Sequence, residues 1–330
     1  MNYIVNFVLN FFYTKDNIIE EDRPLKRYKP SSPNNIKYIR IKKIKLNYKK
    51  IIEEFIFRKN IKNPTIQKIG RGSNGIVYKI SDSYNNYALK ITDDDKNELD
   101  ILHMLANHKN IINNIDNIII KDIMEYGIVF ECMDTDLNNI IQSNKILSND
   151  NIKYISQQIL DGLKYVHSKN IIHGDIKPSN ILINCSNYLI KLSDFGISVC
   201  IDTEEDLPQH IVTRWYRPPE VVKCEKYSYN IDIWGFGCVC YELVVGIPIF
   251  KDGKKCGDLS CDEKIDINIE GGIYDIIIKN VPLIKEKLFD KILIKNINPK
   301  IVELIEKCLT IDPNDRITLD EALNHDFILL

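Results

Sequence analysis

His173-Gly174-Asp175-Ile176-Lys177-Pro178-Ser179-Asn180, followed fourteen residues after Asn180 by Asp194-Phe195-Gly196, is the stretch that decides how this chain is read. It packs two carboxylates, an ammonium and an amide into a short span. Asp175 can accept a hydroxyl proton or orient the hydroxyl. Lys177 can neutralise negative charge that develops beside it. Asn180 offers a neutral oxygen and Asp194 an anionic one, the ligand type that a hard cation such as Mg²⁺ prefers.

On the N-terminal side lies Gly70-Arg71-Gly72-Ser73-Asn74-Gly75. Alone, this spacing is a weak signal. Its glycines run into another β-type stretch, Ile76-Val77-Tyr78, rather than into a helix, and no βαβ unit follows, so a dinucleotide-binding fingerprint is excluded. A glycine hairpin instead lets backbone N–H groups approach phosphate without interference from a Cβ. Lys90, in Ala88-Leu89-Lys90, would be awkward to bury unpaired. With the glycine loop before it, it reads as an α/β-phosphate contact, and Glu98 on a helix predicted over 95–106 is its natural countercharge.

The spacing predicts a β-rich region over 64–133: hairpin strands between 64 and 91, that short helix, and two more strand-like runs over 118–133. The texture then changes. Ser148 reads as the N-cap of a helix over 148–167, whose Ile152, Ile155, Ile159, Leu160, Leu163 and Val166 keep an apolar stripe at helical spacing. Further helices are expected at 229–245, 298–308 and 318–325, and 251–272 reads as an exposed polar insertion.

The 330 residues suggest roughly two domains at about 150 residues each. A hydrophobic fraction of 44% with 27% charged residues excludes a largely disordered chain. A net charge of −2 argues against a globally basic nucleic-acid binder. Nine cysteines are an odd number with no CxxC pair, and Cys256 and Cys261 have no histidine nearby, so reduced thiols in an intracellular compartment, cytoplasmic or nuclear, are expected. The apolar residues 1–13 fall short of the ~20 needed to span a bilayer and lack a secretory cleavage pattern. They read as a poorly ordered or packing extension, with a weak anchor as the alternative. Residues 14–50, with Pro24, Pro30 and Pro33 among Arg and Lys, read as an exposed arm. Its run Lys26–Lys29 reads as a solvated linker, with a nuclear address or polyanion contact as the alternative. The abundance of Ile, Asn and Lys is what an AT-rich genome encodes and carries no fold information; such a genome would suit a protist or a large DNA virus, and if viral the compartment is that of a host cell.

The glycine loop, the strand lysine, HGDIKPSN, DFG and Pro218-Pro219-Glu220 stand in the order found in eukaryotic-type protein kinases, and the chain resembles that family over roughly 64–328. The resemblance implies an α+β, bilobal fold: an N-terminal extension over 1–60, partly disordered, a small β-rich lobe over 64–133 and a large helical lobe over 134–328, with ATP clamped between the lobes. Val129–Leu137 is similar to the hinge of cyclin-dependent and mitogen-activated kinases. Phe130 would be the gatekeeper, the backbone of Glu131 and Met133 would hold adenine, and Ile69, Val77, Ala88 and Leu182 would sandwich its ring. Gly70, Arg71, Gly72, Ser73, Asn74, Gly75 and Ile76 would form the phosphate loop with Lys90 and Glu98. Asn180 and Asp194 would hold Mg²⁺. Asp175 and Lys177 would be catalytic, with Thr213 positioning both. Thr213–Glu220 resembles the group's substrate-docking segment, Asp232–Gly237 its central helix, and Asp312–Arg316 its last motif, so Arg316 should pair with Glu220. Lys177 implies Ser/Thr specificity, and Arg217 a preference for proline after the acceptor.

Three departures stand out. Gly174 replaces the arginine that binds an activation-segment phosphate in relatives. Pro208 stands where a phosphorylated Thr is usual, leaving Ser198 and Thr203 as hydroxyls, and Glu204, Glu205 and Asp206 could hold the loop instead. Asn97 replaces the arginine preceding the helix glutamate. Activity independent of activation-segment phosphorylation follows as an expectation. Glu98 follows Lys90 by only eight positions, and no PSTAIRE-type helix occurs, which argues against a conventional cyclin partner. Vaccinia-related kinases also carry HGDIK but lack TRWYRPPE, and they are the alternative affiliation. A pseudokinase is the competing class, weighed against by the presence of Lys90, Asp175, Asn180 and Asp194; a small-molecule phosphotransferase would have little use for TRWYRPPE.

Overall fold

The computed structural model describes residues 48–72, 75–92, 96–120, 125–143, 147–201, 212–251 and 272–329. The apolar stretch 1–13, the basic arm up to 47, Ser73, Asn74, Thr203, Glu204, Glu205, Asp206, Pro208 and the polar insertion from 252 to 271 with Cys256 and Cys261 lie outside the described residues. The fold is α+β. The chain divides into a unit running through Lys96 with Asn114–Cys132, and a second unit made of Asn97–Asn113 and Met133–Leu330.

The N-terminal unit is built on one antiparallel sheet. Its strands are β1 (Thr65–Gly72), β2 (Gly75–Ser81), β3 (Asn86–Thr92), β4 (Asn114–Ile120) and β5 (Glu125–Glu131), in the order β1-β2-β3-β5-β4. Alternation along β2 decides which side chains go inward. Ile76, Tyr78 and Ile80 are buried, while Gly75, Val77 and Lys79 between them lie on the opposite face. The tight turn from β2 to β3 is closed by Asp82, whose carboxylate accepts from the Tyr84 and Asn85 amides at 2.8 Å each.

A helix, α1 (Tyr48–Arg58), covers the buried face of this sheet, within the stretch read above as extension. Ile51, Ile52, Phe55 and Ile56 are fully buried and join Ile66, Ile76, Tyr78, Ile80, Leu89, Ile91, Ile118 and Val129 in one apolar core. Burying each such side chain contributes about 1.5–3 kcal/mol. The helix is closed by Asn60 at φ 51°, with Asn60 N bonded to Phe57 O and Ile61 N to Ile56 O, both at 3.1 Å. That is the doubly bonded left-handed helix end, and buried Ile61 supplies its usual apolar contact. Pro64 then prevents the helix from continuing.

The C-terminal unit is mainly helical. It comprises α2 (Lys96–Met104) from Asn97 onward, α3 (Leu137–Gln142), α4 (Asn149–His167), α5 (Pro219–Val222), α6 (Asn230–Val245), α7 (Ile273–Asn280), α8 (Ile284–Lys295), α9 (Lys300–Cys308), α10 (Leu319–Leu323) and α11 (Asp326–Leu329). Short strands β6 (Thr135–Asp136), β7 (Ile171–Ile172), β8 (Ile181–Ile183), β9 (Ile190–Leu192) and β10 (Val199–Cys200) form small sheets ordered β6-β8-β9 and β10-β7. The Ser148 hydroxyl caps α4 by accepting from Asn151 N at 3.2 Å. Thr318 and Glu321 form a reciprocal capping box on α10. Helix α6 is apolar nearly all round and buried along almost its whole length, as its composition demands. Among the described residues no helix is long and apolar enough to cross a membrane, and all seven cysteines are free thiols.

Candidate active site

The turn after β7 carries His173, Gly174 and Asp175, and it is fastened from beneath by Asp232 on α6. The amides of His173 and Gly174 donate to Asp232 Oδ2 and Oδ1 at 2.9 Å each, and His167 Nε2 lies 2.9 Å from Oδ2. Burial works against the Asp232 carboxylate, but the His167 bond and the surrounding charges outweigh it, so its pKa falls below the ordinary value. Gly174, at φ 78°, occupies the left-handed region that an arginine would enter only under strain.

His173 is fully buried, and burial lowers its pKa. Its Nδ1 accepts from the Asp175 amide at 3.2 Å, so the proton sits on Nε2, which donates to Ser193 O at 3.2 Å. A neutral imidazole thus ties the turn that carries Asp175 to the residue before Asp194.

Around Asp175 the structure gathers Lys177, Asn180 and Thr213. Lys177 Nζ lies 2.6 Å from Asp175 Oδ2 and 2.7 Å from Thr213 Oγ1. Thr213 Oγ1 and N donate to Asp175 Oδ1 at 2.6 and 3.0 Å. Asn180 Nδ2 donates to the Asp175 carbonyl and to Oδ2, both at 3.0 Å. Asp175 and Asn180 are each 5% exposed. These bonds fix the orientation of every group in the cluster. Because the Asn180 nitrogen is committed to Asp175, its amide oxygen is the end left to face a cation. Ser193 N and Oγ both bond Asn180 O at 3.0 Å, which places Asp194 next in line. Asp194 adopts φ 63°, a strained backbone for a residue with a Cβ. One amide oxygen and one carboxylate form an oxygen-only donor set that fits Mg²⁺ carried on substrate phosphates.

Beyond Asp194, Phe195 is buried with its ring 4.7 Å from that of His173. Ser198 is fully buried and its hydroxyl donates to His173 O at 2.7 Å. This corrects the reading of Ser198 as an available hydroxyl, since it is occupied inside the fold. Asn97 Nδ2 donates to Ser198 O at 3.0 Å, Val199 and Cys200 pair with Ile172 and Ile171, and Ile201 N bonds Asn170 O at 2.8 Å.

At the other end of the segment, Val212 takes φ 73°, rare for a β-branched residue, and its carbonyl accepts from Arg217 Nε at 2.7 Å. Tyr216 donates its hydroxyl to Glu242 Oε2 at 2.8 Å. Burial pushes the Glu242 carboxyl up to about 7, against the Tyr216 bond and the Lys251 charge. Arg316 meets Glu220 through two parallel bonds of 2.7 and 3.0 Å, with both residues buried and the guanidinium 5.0 Å above the Trp234 ring. This is the pair expected from the two motifs.

In the N-terminal unit Gly72 at the end of β1 stands opposite Gly75 at the start of β2. Gly75 has φ 135°, and a Cβ there would stand 2.3 Å from Ile91 O, so no other residue fits. Gly70 and Arg71 lie on β1, and Ile69 beside them is 50% exposed. Val77, Ala88, Lys90, Ile128 and Phe130 are related by register across β2, β3 and β5, with Val77 opposite Lys90, Lys90 opposite Ile128 and Ala88 opposite Phe130. Lys90 is buried, and so is Glu98 on α2 of the C-terminal unit. Ile76 departs from expectation, because its side chain is 4% exposed in the α1 core, on the face opposite Val77. Only its backbone can serve the loop. Glu131 ends β5; Met133 follows Cys132 into the C-terminal unit, where Leu182 lies on β8. Sequence reasoning missed His167, Asp232 as an anchor, Ser193 and Glu242; Asp232 and Glu242 had a signal as acids within the apolar run 230–245, and His167 and Ser193 had none.

A comparison with protein families matches the protein kinase domain over residues 35–328. Among known proteins, the mitogen-activated protein kinase homolog NTF6 of Nicotiana tabacum is 34% identical over 289 residues, covering 81% of this chain and 77% of the relative. Mitogen-activated protein kinase 6 of Oryza sativa subsp. japonica is 34% identical, covering 80% and 76%. Mitogen-activated protein kinase 13 of Arabidopsis thaliana is 35% identical, covering 80% and 79%. With its matched length spanning most of the chain, the protein belongs to the protein kinase family.

Proposed function

We propose that this protein serine/threonine kinase acts on hydroxyls followed by proline, and that it needs no phosphate on its activation segment. ATP is the phosphoryl donor. In this reading the glycine-hairpin amides and Lys90 hold the phosphates, with Glu98 reserved as the countercharge, and the backbone of Glu131 and Met133 takes adenine. Asn180 and Asp194 would hold Mg²⁺, which when bound supplies charge neutralisation on the phosphates. Thr213 orients the Asp175 carboxylate, which receives the proton of the substrate hydroxyl as the hydroxyl oxygen bonds to the γ-phosphorus. The bond from that phosphorus to the bridging oxygen breaks and ADP leaves. The Lys177 ammonium meets the charge carried by the transferring group.

The observation that carries the proline preference is the Val212 carbonyl. It is turned away by the left-handed φ of 73° and already accepts from Arg217. A residue with a backbone N–H placed against this segment would lose a hydrogen bond, at about 1–3 kcal/mol. Proline has no N–H to lose. Independence from phosphorylation is supported by the neutral bonds at the start of the segment. The Asn97 amide, the Ser198 hydroxyl and the β7–β10 pairing hold it where Gly174 offers no cation for a phosphate.

Matched Ser-Pro and Ser-Ala peptides, assayed before and after phosphatase treatment of the enzyme, test both parts. The expected kcat/KM ratio is about tenfold in favour of Ser-Pro, with activity unchanged by phosphatase. Equal rates would remove the proline preference, and activity abolished by phosphatase would remove the independence.

A further inference from the structure

Helix α1 lies outside the motifs that carry the chemistry, yet it touches strands that bear the nucleotide contacts. At its start the Tyr48 ring is 6.3 Å from Tyr78 on β2, the strand that begins at Gly75. In its middle the Phe55 ring meets Tyr87 on β3 edge to face, with centroids 5.3 Å apart at 82°. Tyr87 is the direct cross-strand partner of Glu131. At its end Arg58 donates to Asn117 O at 3.4 Å and Lys59 pairs with Asp116 on β4 at 2.9 Å. Strand β5 carries no side chain at Gly127, and the helix fills that space. A Cβ there would stand 2.7 Å from Ile51 Cγ2 and 3.1 Å from Leu89 Cδ1. Leu89 and Ile91, which flank Lys90 on β3, are both fully buried in the core that α1 closes. The helix therefore crosses the strands that begin at Gly75, hold Lys90 and end at Glu131.

We infer that α1 is a positioning brace for nucleotide binding, with Phe55 and Ile51 holding β3 and β5 in the relation that presents Lys90 and the Glu131 backbone to ATP. The helix is packed by apolar contact, which is close-fitting and bistable rather than continuously deformable. Loosening it shifts the strands together. Phe55 and Ile51 touch no substrate, and their effect falls on ATP affinity rather than on the transfer step. This inference rests on the kinase reading.

The test uses the full chain with Phe55→Leu, Phe55→Ala and Gly127→Ala, and compares KM for ATP, KM for peptide and kcat. The expected result is a rise of about three- to tenfold in KM for ATP, the size of one lost aromatic contact, with kcat and peptide KM within about twofold. Should Phe55→Ala fail to fold, Phe55→Leu and Gly127→Ala decide the matter. Combining Gly127→Ala with Ile51→Leu, which removes the obstructing Cγ2 methyl and keeps the apolar bulk, should recover part of the loss. An unchanged KM for ATP in the folded variants, or equal losses in kcat and KM for both substrates, would overturn the brace. The ATP-induced rise in melting temperature reads the same affinity without turnover. Transfer absent in wild type strikes the kinase reading alone, whereas wild-type transfer with unaltered variants strikes only the brace.

Discussion

The turn that carries Asp175 in the C-terminal unit and the sheet of the N-terminal unit are held by opposite means. The turn is fixed by charge and directed hydrogen bonds: Asp232 beneath it, Lys177, Asn180 and Thr213 around Asp175, and Arg316 on Glu220 in the segment that follows Thr213. The sheet is fixed by apolar contact, with four fully buried side chains of α1 and a bare patch at Gly127 to receive them. Directed bonds place individual atoms to within tenths of an ångström, which proton and phosphoryl transfer require. Apolar packing sets the relation of whole strands, which suits the holding of a larger ligand.

Four substitutions would break or sharpen this contrast. The largest effect is expected from Arg316→Ala, which strands buried Glu220 and should lower stability by about 3–5 kcal/mol in denaturant titration. Amide protection around α5 and α6 should fall most. A loss below about 1 kcal/mol would mean the pair is not what anchors the segment. Next comes Phe55→Ala, expected to reduce stability by about 3–4 kcal/mol and to release protection in the β1–β5 amides. A loss of protection confined to α1 would show that the sheet stands without it.

Third is Glu242→Gln. The folded-state pKa of Glu242 lies above its ordinary value of 4.5, at about 7. The native state therefore holds the proton that the unfolded state releases between these values. Stability from this group is fully present below about pH 4.5, declines through the window and is lost above about pH 7. The amide variant lacks that decline, so it should gain on wild type by about 3 kcal/mol between pH 4.5 and 8. Parallel pH profiles would contradict it. The smallest effect is expected from Arg217→Lys, which removes the Nε donor to Val212 and should cut the Ser-Pro over Ser-Ala preference by up to about tenfold.

Much of the C-terminal site was legible because its chemistry is local in sequence. Asp175, Lys177 and Asn180 fall within six residues, and their cluster is a property of one turn. The helices with clear stripes were also legible; the stripe over 148–167 gave α4 with its Ser148 cap. The N-terminal brace was not, because the Lys and Arg residues that recur through Lys50 made its first turn look like the end of an exposed arm. The 51, 52, 55, 56 spacing of Ile and Phe was its one signal, and its receiving surface is assembled from strands up to Val129. Ile76 was assigned to the loop by motif, although strand alternation turns its side chain to the other face. Ser198 was taken by composition for a free hydroxyl; only burial shows that it is used. The Tyr216–Glu242 bond joins residues 26 apart, which no local pattern reveals.

The central claim is that Asp175, held by Lys177, Thr213 and Asn180, is the group that receives the substrate proton. The most direct test is transfer of radiolabelled phosphate from Mg²⁺-ATP to a generic basic protein by wild type beside Asp175→Ala, with melting temperatures measured in parallel. The account predicts transfer by wild type and a loss of about a thousandfold or more in the variant, with ATP still raising the melting temperature of both. Transfer by a folded Asp175→Ala at near the wild-type rate would contradict it.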